Sequence, residues 1–448
     1  MLSPDAASDR AADLVARAIR AGADAADAVY GASSSEGIQV RLGKLEDVER
    51  SEGENIGLRV FIGKRSASIG SSDLSPQALD ELAARAVAMA SAAPEDAYAG
   101  LAPEELLARP PFADLDALDP TDPGAEVLRE AAKEAEDAAR AVGGVTNSDG
   151  ASASAGFGVF ALATSHGFVG GYASSSHSIH ASVVAGDGGA KQRDSAWRSA
   201  RHRSDLPSPA EIGTLAGERA VARLQPQRLR SGAMPVVFDP RVSSTIVGHL
   251  IGAMSGSAIA RRSSFLLDRL EEQLFDPSIL IVENPHTPRG LRSRPFDGEG
   301  LPTRPRNLVE GGHVTGWLMD SASARQLGAA PTGHAARGGG GAPGISVGNV
   351  HLAAGTLSPE ALIADIAEGV LVTELIGQGV NGVTGDYSRG AAGLRIVNGA
   401  LAGPVAEFTV AGNLLAMFAA MTPANDLEWH RAINAPTLRI EGMTVAGD

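Results

Sequence analysis

Residues 369 to 415 hold the side chains of this chain that are best suited to chemistry, set between apolar runs. Asp386, Tyr387 and Arg389 place an acid, a phenol and a guanidinium close together. Such a mixture is suited to hydrogen bonding across an interface. A turn closed by Asp386, with an internal pair to Arg389, accounts for the same residues, and both interpretations stay open. Loops that line a surface are predicted by the glycines at 377, 379, 382, 385, 390 and 393.

Two further features extend this candidate surface. Glu374 lies in the apolar run VLVTELIG, where an ionised carboxylate needs a partner or a route to water, so it either pairs or lines a cavity. Arg337 precedes four glycines whose amides suit an extended peptide or a carboxylate, although a phosphate-loop ending is missing. A flexible connector is the alternative there. The candidate substrate- or partner-binding residues are Arg337, Gly338, Gly339, Gly340, Gly341, Glu374, Asp386, Tyr387 and Arg389.

The histidines, serines and cysteine count of the sequence do not assemble a common hydrolytic site. His177 and His180 lie three apart in a strand-like run, so they face opposite ways and cannot share one ion. The letters G-x-S-x-G occur at 344 to 348 (GISVG), but no recognisable His or Asp partner follows at motif spacing, which disfavours a serine hydrolase. The chain has no cysteine, which excludes disulfides, thiolate nucleophiles and cysteine-bound zinc. His249 is a lone histidine on an apolar helix, which favours a structural role.

Several long motifs, in the same order along the chain, carry a resemblance to a known family. They are VVFDPRVSSTIVGHLIGAMSGSAIARRSSFL at 236 to 266, HAARGGGGAPGISVGN at 334 to 349, and TELIGQGVNGVTGDYSRGAAG followed by VNG and AGNL. These strings resemble the TldD/PmbA family, specifically its PmbA (TldE) branch. Weaker similarity runs back to the N-terminal helix. The resemblance therefore covers nearly the whole chain.

The resemblance also implies where a metal would bind and which ligands this chain lacks. The TldD branch carries a His-Glu-x-x-x-His motif, which supplies two metal ligands and a carboxylate that activates water. Alignment on Gly256 puts Val247, Gly248 and Gly252 at the three functional positions, and none of them can bind Zn²⁺ or act as a base. That branch also draws a ligand from a C-terminal cysteine, which is absent here. We predict no catalytic residue, no metal ligand and no cofactor in this chain, with zinc in a TldD-like partner.

The function implied by the resemblance is that of the non-catalytic subunit of a cytoplasmic TldD/TldE-type metallopeptidase that cleaves unfolded or short peptides. This chain would bind the TldD-like subunit and the peptide, and would be inactive alone. One alternative is a competent metallopeptidase with ligands drawn from His249, His334 or His351 together with Glu374 or Asp386. A non-proteolytic, protein-binding regulator of the gyrase-modulator kind is another. A homodimer in the absence of the partner also stays open.

The net charge limits which classes of partner are expected, and the N-terminal residues bear on the cellular location. The formal charge is −15 and the pI is near 5.2, so we expect neither nucleic acid nor an anionic membrane as a partner. A basic run from Lys191 to Arg203 is interrupted by acids and is interpreted as a solvated face. The N-terminal ten residues lack the apolar core of a signal peptide, which favours a cytoplasmic location.

The helices and strands expected from the sequence predict an α+β fold. N-terminal and central α+β domains are followed by a mostly antiparallel β C-terminal domain. Helices are predicted from Ser8 with Ser8 as N-cap, and after Ser75-Pro76. Asn398-Gly399 predicts a two-residue hairpin. The expected ranges are 1–93 for the N-terminal domain, 94–123 for a Pro-rich linker, 124–226 for the central domain and 227–448 for the C-terminal domain.

Overall fold

Six strands from the first half of the chain form one antiparallel sheet, in the order β3-β2-β1-β4-β5-β6. The computed structural model describes residues 1–447. The strands are β1 (Ala25–Arg41), β2 (Lys44–Ile62), β3 (Arg65–Ser71), β4 (Val145–Thr164), β5 (Val169–Ala185) and β6 (Gln192–Ala200). Because β1 pairs with both β2 and β4, the strands of the two predicted N-terminal domains belong to one sheet.

Four helices cover one face of this sheet: α1 (Pro4–Arg20), α2 (Pro76–Ala92), α3 (Gly124–Ala141) and α4 (Pro209–Ala222). Alternate strand residues such as Ala28, Leu58 and Ala161 point into the helical layer, as the period of two requires. Ser75 caps α2 as predicted. The predicted cap of α1 was wrong: Ser3 is the N-cap, and Ser8 lies one turn inside, where its hydroxyl donates to the Pro4 carbonyl.

The opposite face of the sheet packs against the second half of the chain. Phe296 is buried there among Phe160, Phe168 and Tyr172, with ring centroids 4.9 to 6.4 Å away. Three 3₁₀ turns, Glu104–Leu106, Gly188–Ala190 and Arg203–Asp205, lie in the connections. The molecule is therefore layered as helices, sheet and C-terminal half. No helix in residues 1–447 combines the length and the apolar character needed to traverse a bilayer.

The C-terminal half contains two larger sheets and one small one. The first has the order β16-β15-β14-β7-β19-β17, and an additional β16–β19 pairing closes five of its strands into a ring. The second has the order β10-β9-β8-β13-β18, and β11 pairs with β12. Only the β14–β7 and β13–β18 pairings among the named strands of residues 1–447 are parallel. The mixed helix and strand content, with antiparallel-rich sheets here, confirms the α+β prediction.

The bounds of these later elements are as follows. The strands are β7 (Gly232–Phe238), β8 (Ile281–Asn284), β9 (Arg306–Glu310), β10 (His313–Val314), β11 (Ala335–Ala336), β12 (Gly344–Ile345), β13 (Asn349–Leu352), β14 (Glu368–Ile376), β15 (Asp386–Val397), β16 (Ala400–Asn413), β17 (Met421–Pro423), β18 (Ile433–Asn434) and β19 (Leu438–Ala446). The helices are α5 (Pro240–Ala253), α6 (Gly256–Ala260), α7 (Ser321–Leu327), α8 (Pro359–Ile363) and α9 (Leu414–Ala419).

The glycine-rich segment that follows β14 contains both a loop and a strand. The Asn398-Gly399 hairpin is confirmed, with φ of 49° and 76° as a primed turn requires. The prediction of loops was wrong for Gly390 and Gly393, which lie within β15. At Gly393 a Cβ atom would lie 1.9 Å from the Leu371 carbonyl oxygen, so glycine is needed there for close strand approach.

Candidate functional site

Arg337 lies in a buried ionic network that joins the C-terminal half to the first sheet. Its guanidinium donates to the Asp27 carboxylate in β1, which also accepts from Arg59 Nε at 2.9 Å. Glu299 lies 3.5 Å from Arg59. Burial alone would raise the pKa of Asp27, but the guanidiniums of Arg59 and Arg337 hold that pKa below its ordinary value. The two guanidiniums therefore favour the ionised form of Asp27, and these contacts join the two halves of the molecule.

The glycines after Arg337 pack against β2 and β3. A Cβ atom on Gly57 of β2 would lie 2.3 Å from the Gly339 carbonyl oxygen. A Cβ on Gly340 would lie 2.6 Å from the carbonyl carbon of Ile69 in β3. Gly338 and Gly341 have open space at the same position. The backbone of Gly339 and Gly340 is thus in contact with the first sheet. Binding of substrate or partner by Gly338 to Gly341 stays a prediction.

Asp386, Tyr387 and Arg389 of β15 differ in exposure and in hydrogen bonding. Asp386 is exposed and accepts hydrogen bonds from the Thr384 hydroxyl and the Asn413 amide, which lower its pKa. Tyr387 is buried, and burial raises its pKa to about 12. The Arg389 guanidinium donates to a backbone carbonyl of β14 at 3.4 Å. The structure therefore has no Asp386–Arg389 pair, and only Tyr387 and Arg389 lie close enough for the charge of one to act on the other.

His249 of α5 packs against this part of β15. Its ring meets the Tyr387 ring edge-on at 6.0 Å between centroids. Burial, and then the nearby charge of Arg389, lower the pKa of His249. The His249 Nε2, Tyr387 Oη and Arg389 Nε atoms are buried without a hydrogen-bond partner in residues 1–447. A cationic side chain beside a lone imidazole is a poor environment for a divalent metal.

The residues present at this position of α5 do not fit the zinc site that the sequence resemblance implies for the TldD branch. Val247 is buried in the C-terminal core, and Gly248 and Gly252 face open space with no donor atom. His334 is bonded to Glu283 at 2.8 Å, and His351 packs on Trp429 at 4.6 Å between ring centroids. Within residues 1–447 no group of three or more His, Cys, Asp or Glu side chains is arranged to hold a metal ion.

Glu374 lies at the wall of a cavity of about 430 Å³ between the first sheet and the C-terminal half. Its carboxylate is 2.5 Å from Arg223 Nη2 and its side chain is 42% exposed. Glu374 therefore both pairs and lines a cavity, which were the two predicted alternatives. This space, called the arginine cavity below, has a charged lining of Arg193, Asp194, Arg198, Arg219, Arg223, Arg241, Glu374 and Arg431.

Sequence reasoning missed most of this cavity. Its arginines come from β6, α4 with its C-cap, α5 and the segment before β18, and several of these segments are far apart in the chain. Two of them, Arg193 and Arg198, belong to the basic run that was interpreted as a solvated face. The Arg193 side chain is 72% exposed as expected, but that of Arg198 is only 18% exposed. The one signal available beforehand was Glu374, an acid in an apolar run that needed a partner.

Family models match most of the chain, in three consecutive pieces. The PmbA/TldA metallopeptidase domain 1 matches residues 26–90, the central domain matches 118–224, and the C-terminal domain matches 231–447. The chain belongs to the PmbA/TldD family. The first and last pieces lie within the ranges 1–93 and 227–448 expected from the sequence, whereas the central piece begins six residues before the expected 124–226. Autonomous folding of those ranges stays a prediction, since strands of the first two share a sheet in this PmbA/TldD chain.

Similar proteins place the chain on the PmbA side of this family. It is 38% identical to the Metalloprotease PmbA of Escherichia coli O157:H7, over 95% of this chain and 92% of that protein. It is 36% identical to a Metalloprotease PmbA homolog of Haemophilus influenzae, over 96% of this chain and 94% of that protein. These full-length matches confirm the PmbA branch that the sequence motifs indicated.

Solved structures share the whole fold of this PmbA/TldD chain. A Bacteroides thetaiotaomicron protein, described as a candidate modulator of DNA gyrase, superposes with a TM-score of 0.90 at 26% identity, covering 100% of both chains. TldE from Thermococcus kodakarensis superposes with a TM-score of 0.84 at 21% identity, covering 98% of this chain and 100% of that one. The second likeness, at this identity, concerns the fold alone.

Proposed function

We propose that this chain is the PmbA/TldE-like subunit of a cytoplasmic TldD/TldE-type metallopeptidase, in which it binds the partner and the peptide. The zinc would be held by a TldD-like partner, and the substrates would be unfolded or short peptides. The observation that carries the proposal is the environment of α5. There His249 faces Tyr387 and Arg389, while Val247, Gly248 and Gly252 offer no donor atom.

The names of the relatives support a role in proteolysis, since those of Escherichia coli and Haemophilus influenzae are called metalloproteases. The residues at α5 argue against hydrolysis by this chain alone, because water activation needs a metal or a general base at the scissile bond. A two-subunit enzyme reconciles both points. The partner would supply the metal and the base, and this chain would complete a site closed to bulk water and folded proteins.

The first experiment measures zinc in the purified chain and its activity on a short unstructured peptide, with and without a TldD-like partner. We expect no stoichiometric zinc in this chain, no hydrolysis by it alone, and hydrolysis in the mixture. The mixture is repeated with a partner whose motif glutamate is changed to glutamine, which should abolish hydrolysis. Stoichiometric zinc with activity in the isolated chain would contradict the proposal, and inactivity of every mixture would favour the non-proteolytic regulator.

A control in this chain uses His249→Phe, which keeps a ring against Tyr387 but removes both ring nitrogens. Because His249 has no hydrogen bond to its Nε2 atom, we expect the variant to fold and to keep the activity of the mixture. Loss of activity in a folded His249→Phe variant would indicate that the imidazole takes part in the chemistry. Native gel filtration of the chain alone would also show whether it forms a homodimer.

A further inference from the structure

The arginine cavity lies at the free edge of the first sheet. Its edge strand β6 supplies Arg193 and Arg198, α4 supplies Arg219, and the C-cap of α4 is Arg223. The C-terminal half closes the space from α5, β14 and the segment before β18. Six arginines and two acids make the charged lining, although the whole chain carries a formal charge of −15. The lining is thus opposite in charge to the rest of the molecule.

The two acids of the lining are already bonded to the arginines nearest to them. Glu374 is 2.5 Å from Arg223. Asp194 is 3.4 Å from Arg241 and 3.6 Å from Arg223. Acids outside the lining contact two further arginines, in the pairs Arg193–Asp149 at 3.5 Å and Arg198–Glu428 at 3.6 Å. Four of the six arginines in the lining therefore contact an acid, and the other two are Arg219 and Arg431.

Arg219 and Arg431 have no carboxylate within 4.0 Å among the residues that the structure describes. Arg219 donates to the Ser195 carbonyl at 3.1 Å, and Arg431 donates to the Arg241 carbonyl at 3.0 Å. The Arg431 guanidinium also lies over the Trp197 ring, 5.1 Å from its centroid. Its Nε atom is buried without an acceptor. Neither guanidinium therefore has a direct ion pair in residues 1–447, although the charges of Asp239 and Asp194 act on Arg219 and that of Asp239 acts on Arg431.

The electrostatics of neighbouring groups agree with an excess of positive charge. Burial, and then the charge of Arg241, lower the pKa of Arg219 to about 10. Burial, and then the charges of three arginines, lower the pKa of His430 to about 4. An incoming anion would relieve both effects, because an opposite charge stabilises the charged form of each group. The charged groups that act on His430 are Arg198, Arg219, Arg431, Asp239 and Glu428.

The guanidinium fork recognises carboxylates and phosphates through paired N–H donors. The surroundings favour a carboxylate carried on a longer chain. At Arg198 the arginine cavity adjoins two other cavities of about 430 and 560 Å³, so a ligand has room to continue along the domain boundary. Their linings include apolar side chains such as Leu206, Trp429, Ile363 and Leu401, which suit the side chains of a peptide.

We propose that the arginine cavity binds a carboxylate group of an extended peptide, with Arg219 and Arg431 as the anion-contacting residues. This inference rests on the proposed peptide-binding role and specifies its chemistry. The carboxylate can be the C-terminal group or an aspartate or glutamate side chain. Binding orients the peptide along the boundary between the first sheet and the C-terminal half. Arg223 and Arg241 are already paired with acids of the lining, and the Arg241 carbonyl accepts a hydrogen bond from Arg431.

The test measures binding to the isolated, full-length chain by fluorescence anisotropy, with three N-terminally labelled alanine-rich hexapeptides. One has a free C-terminal carboxylate, one has a C-terminal amide and a single internal glutamate, and one has the amide and no acid. We expect at least one acid-bearing peptide to bind about tenfold or more tightly than the neutral peptide, as a charge-assisted hydrogen bond implies. The two acid-bearing peptides distinguish the two sources of carboxylate.

Matched variants separate the cavity from general charge effects. Arg219→Gln and Arg431→Gln should each remove most of the preference for acid-bearing peptides. The control is Arg228→Gln, because Arg228 is 73% exposed and lies outside the cavity lining. Arg219→Lys and Arg431→Lys keep the charge and lose the fork, so they should retain part of the preference. Thermal unfolding of each variant shows whether it is folded.

Equal binding of all three peptides, or a preference that survives both glutamine variants, would overturn the inference. So would competition by inorganic phosphate without any binding of an acid-bearing peptide. Binding is measured without the partner, so its outcome is independent of the mixing assay. Arginine-dependent binding with inactive mixtures would leave the inference standing and remove the proteolytic role. Active mixtures without arginine-dependent binding would remove the inference alone.

Discussion

Arg337 and Asp27 are 310 positions apart in the sequence, yet their side chains are hydrogen-bonded in the interior of the molecule. The side chains are 0% and 1% exposed, so the pair is shielded from water. Arg59 binds the same carboxylate, and Glu299 lies on the far side of Arg59. Because the network joins the first sheet to the C-terminal half, substitutions in it test how much this contact contributes to the stability of the fold.

Removing one member of this network should destabilise the fold strongly. Arg337→Gln leaves Asp27 with one guanidinium, and Asp27→Asn leaves two buried arginines short of a partner. We expect each change to lower the free energy of unfolding by about 3–5 kcal/mol, the usual cost of breaking a buried pair. Urea denaturation measures this, with Arg228→Gln as an exposed control. The double variant should cost less than the sum, and strict additivity would argue against the pairing.

The contact of the glycine run with the first sheet predicts a position-specific effect of added methyl groups. Gly340→Ala puts a Cβ atom within 2.6 Å of the backbone at Ile69, whereas Gly341→Ala meets open space. We expect Gly340→Ala to destabilise by about 1–3 kcal/mol through overpacking, and Gly341→Ala to be near neutral. Thermal unfolding and amide exchange of β3 measure the difference. Equal effects of the two substitutions would contradict the packing described.

Asp297 predicts a component of stability that decreases as pH rises. Burial, and then the charge of Glu299, raise the pKa of Asp297 to about 7, against about 3.9 in an unfolded chain. The folded state therefore binds more protons, so this contribution is complete below pH 4 and is lost as pH rises to about 7. Relative to Asp297→Asn, the wild-type chain should lose up to about 1.4 kcal/mol per pH unit in that window.

The Asp297 comparison is made by urea denaturation at several pH values between 4 and 8. The free energy of unfolding of the asparagine variant differs from that of the wild-type chain by an amount that does not depend on pH. The reason is that three backbone N–H groups donate to the carboxylate, and an amide cannot accept from all of them. The prediction is therefore tested only by how the difference in free energy of unfolding between the two chains varies with pH. A difference that stays constant from pH 4 to pH 8 would show that Asp297 is ionised throughout.

His430 gives an independent readout of anion binding. Its folded pKa of about 4 lies below the ordinary value, so its contribution to stability is present above about pH 6.5 and is lost as pH falls toward 4. A carboxylate bound between Arg219 and Arg431 should raise this pKa. NMR titration of the His430 ring, assigned by loss of its signal in His430→Gln, measures the shift with each hexapeptide. An unchanged pKa with saturating acid-bearing peptide would place the anion elsewhere.

The sequence by itself determined much of the local structure and which side chains are present along α5. Ser75 with Pro76 begins a helix, and Asn398-Gly399 forms a hairpin, because both depend on the backbone preferences of a few adjacent residues. The loss of donors at Val247, Gly248 and Gly252 is likewise a matter of side-chain identity. The predicted cap of α1 was Ser8, whereas the helix begins after Ser3, whose side chain accepts from the Ala6 backbone N–H.

Only the tertiary structure decided which distant residues meet. Pairing of β1 with β4 joins two predicted domains into one sheet, and the backbone contact of Gly340 with β3 depends on that sheet being in place. Arg219 and Arg431 share a cavity because α4 lies against β6, and the C-terminal half closes over that edge. Such neighbours depend on the register and packing of segments hundreds of residues apart, which no local pattern of residue types specifies.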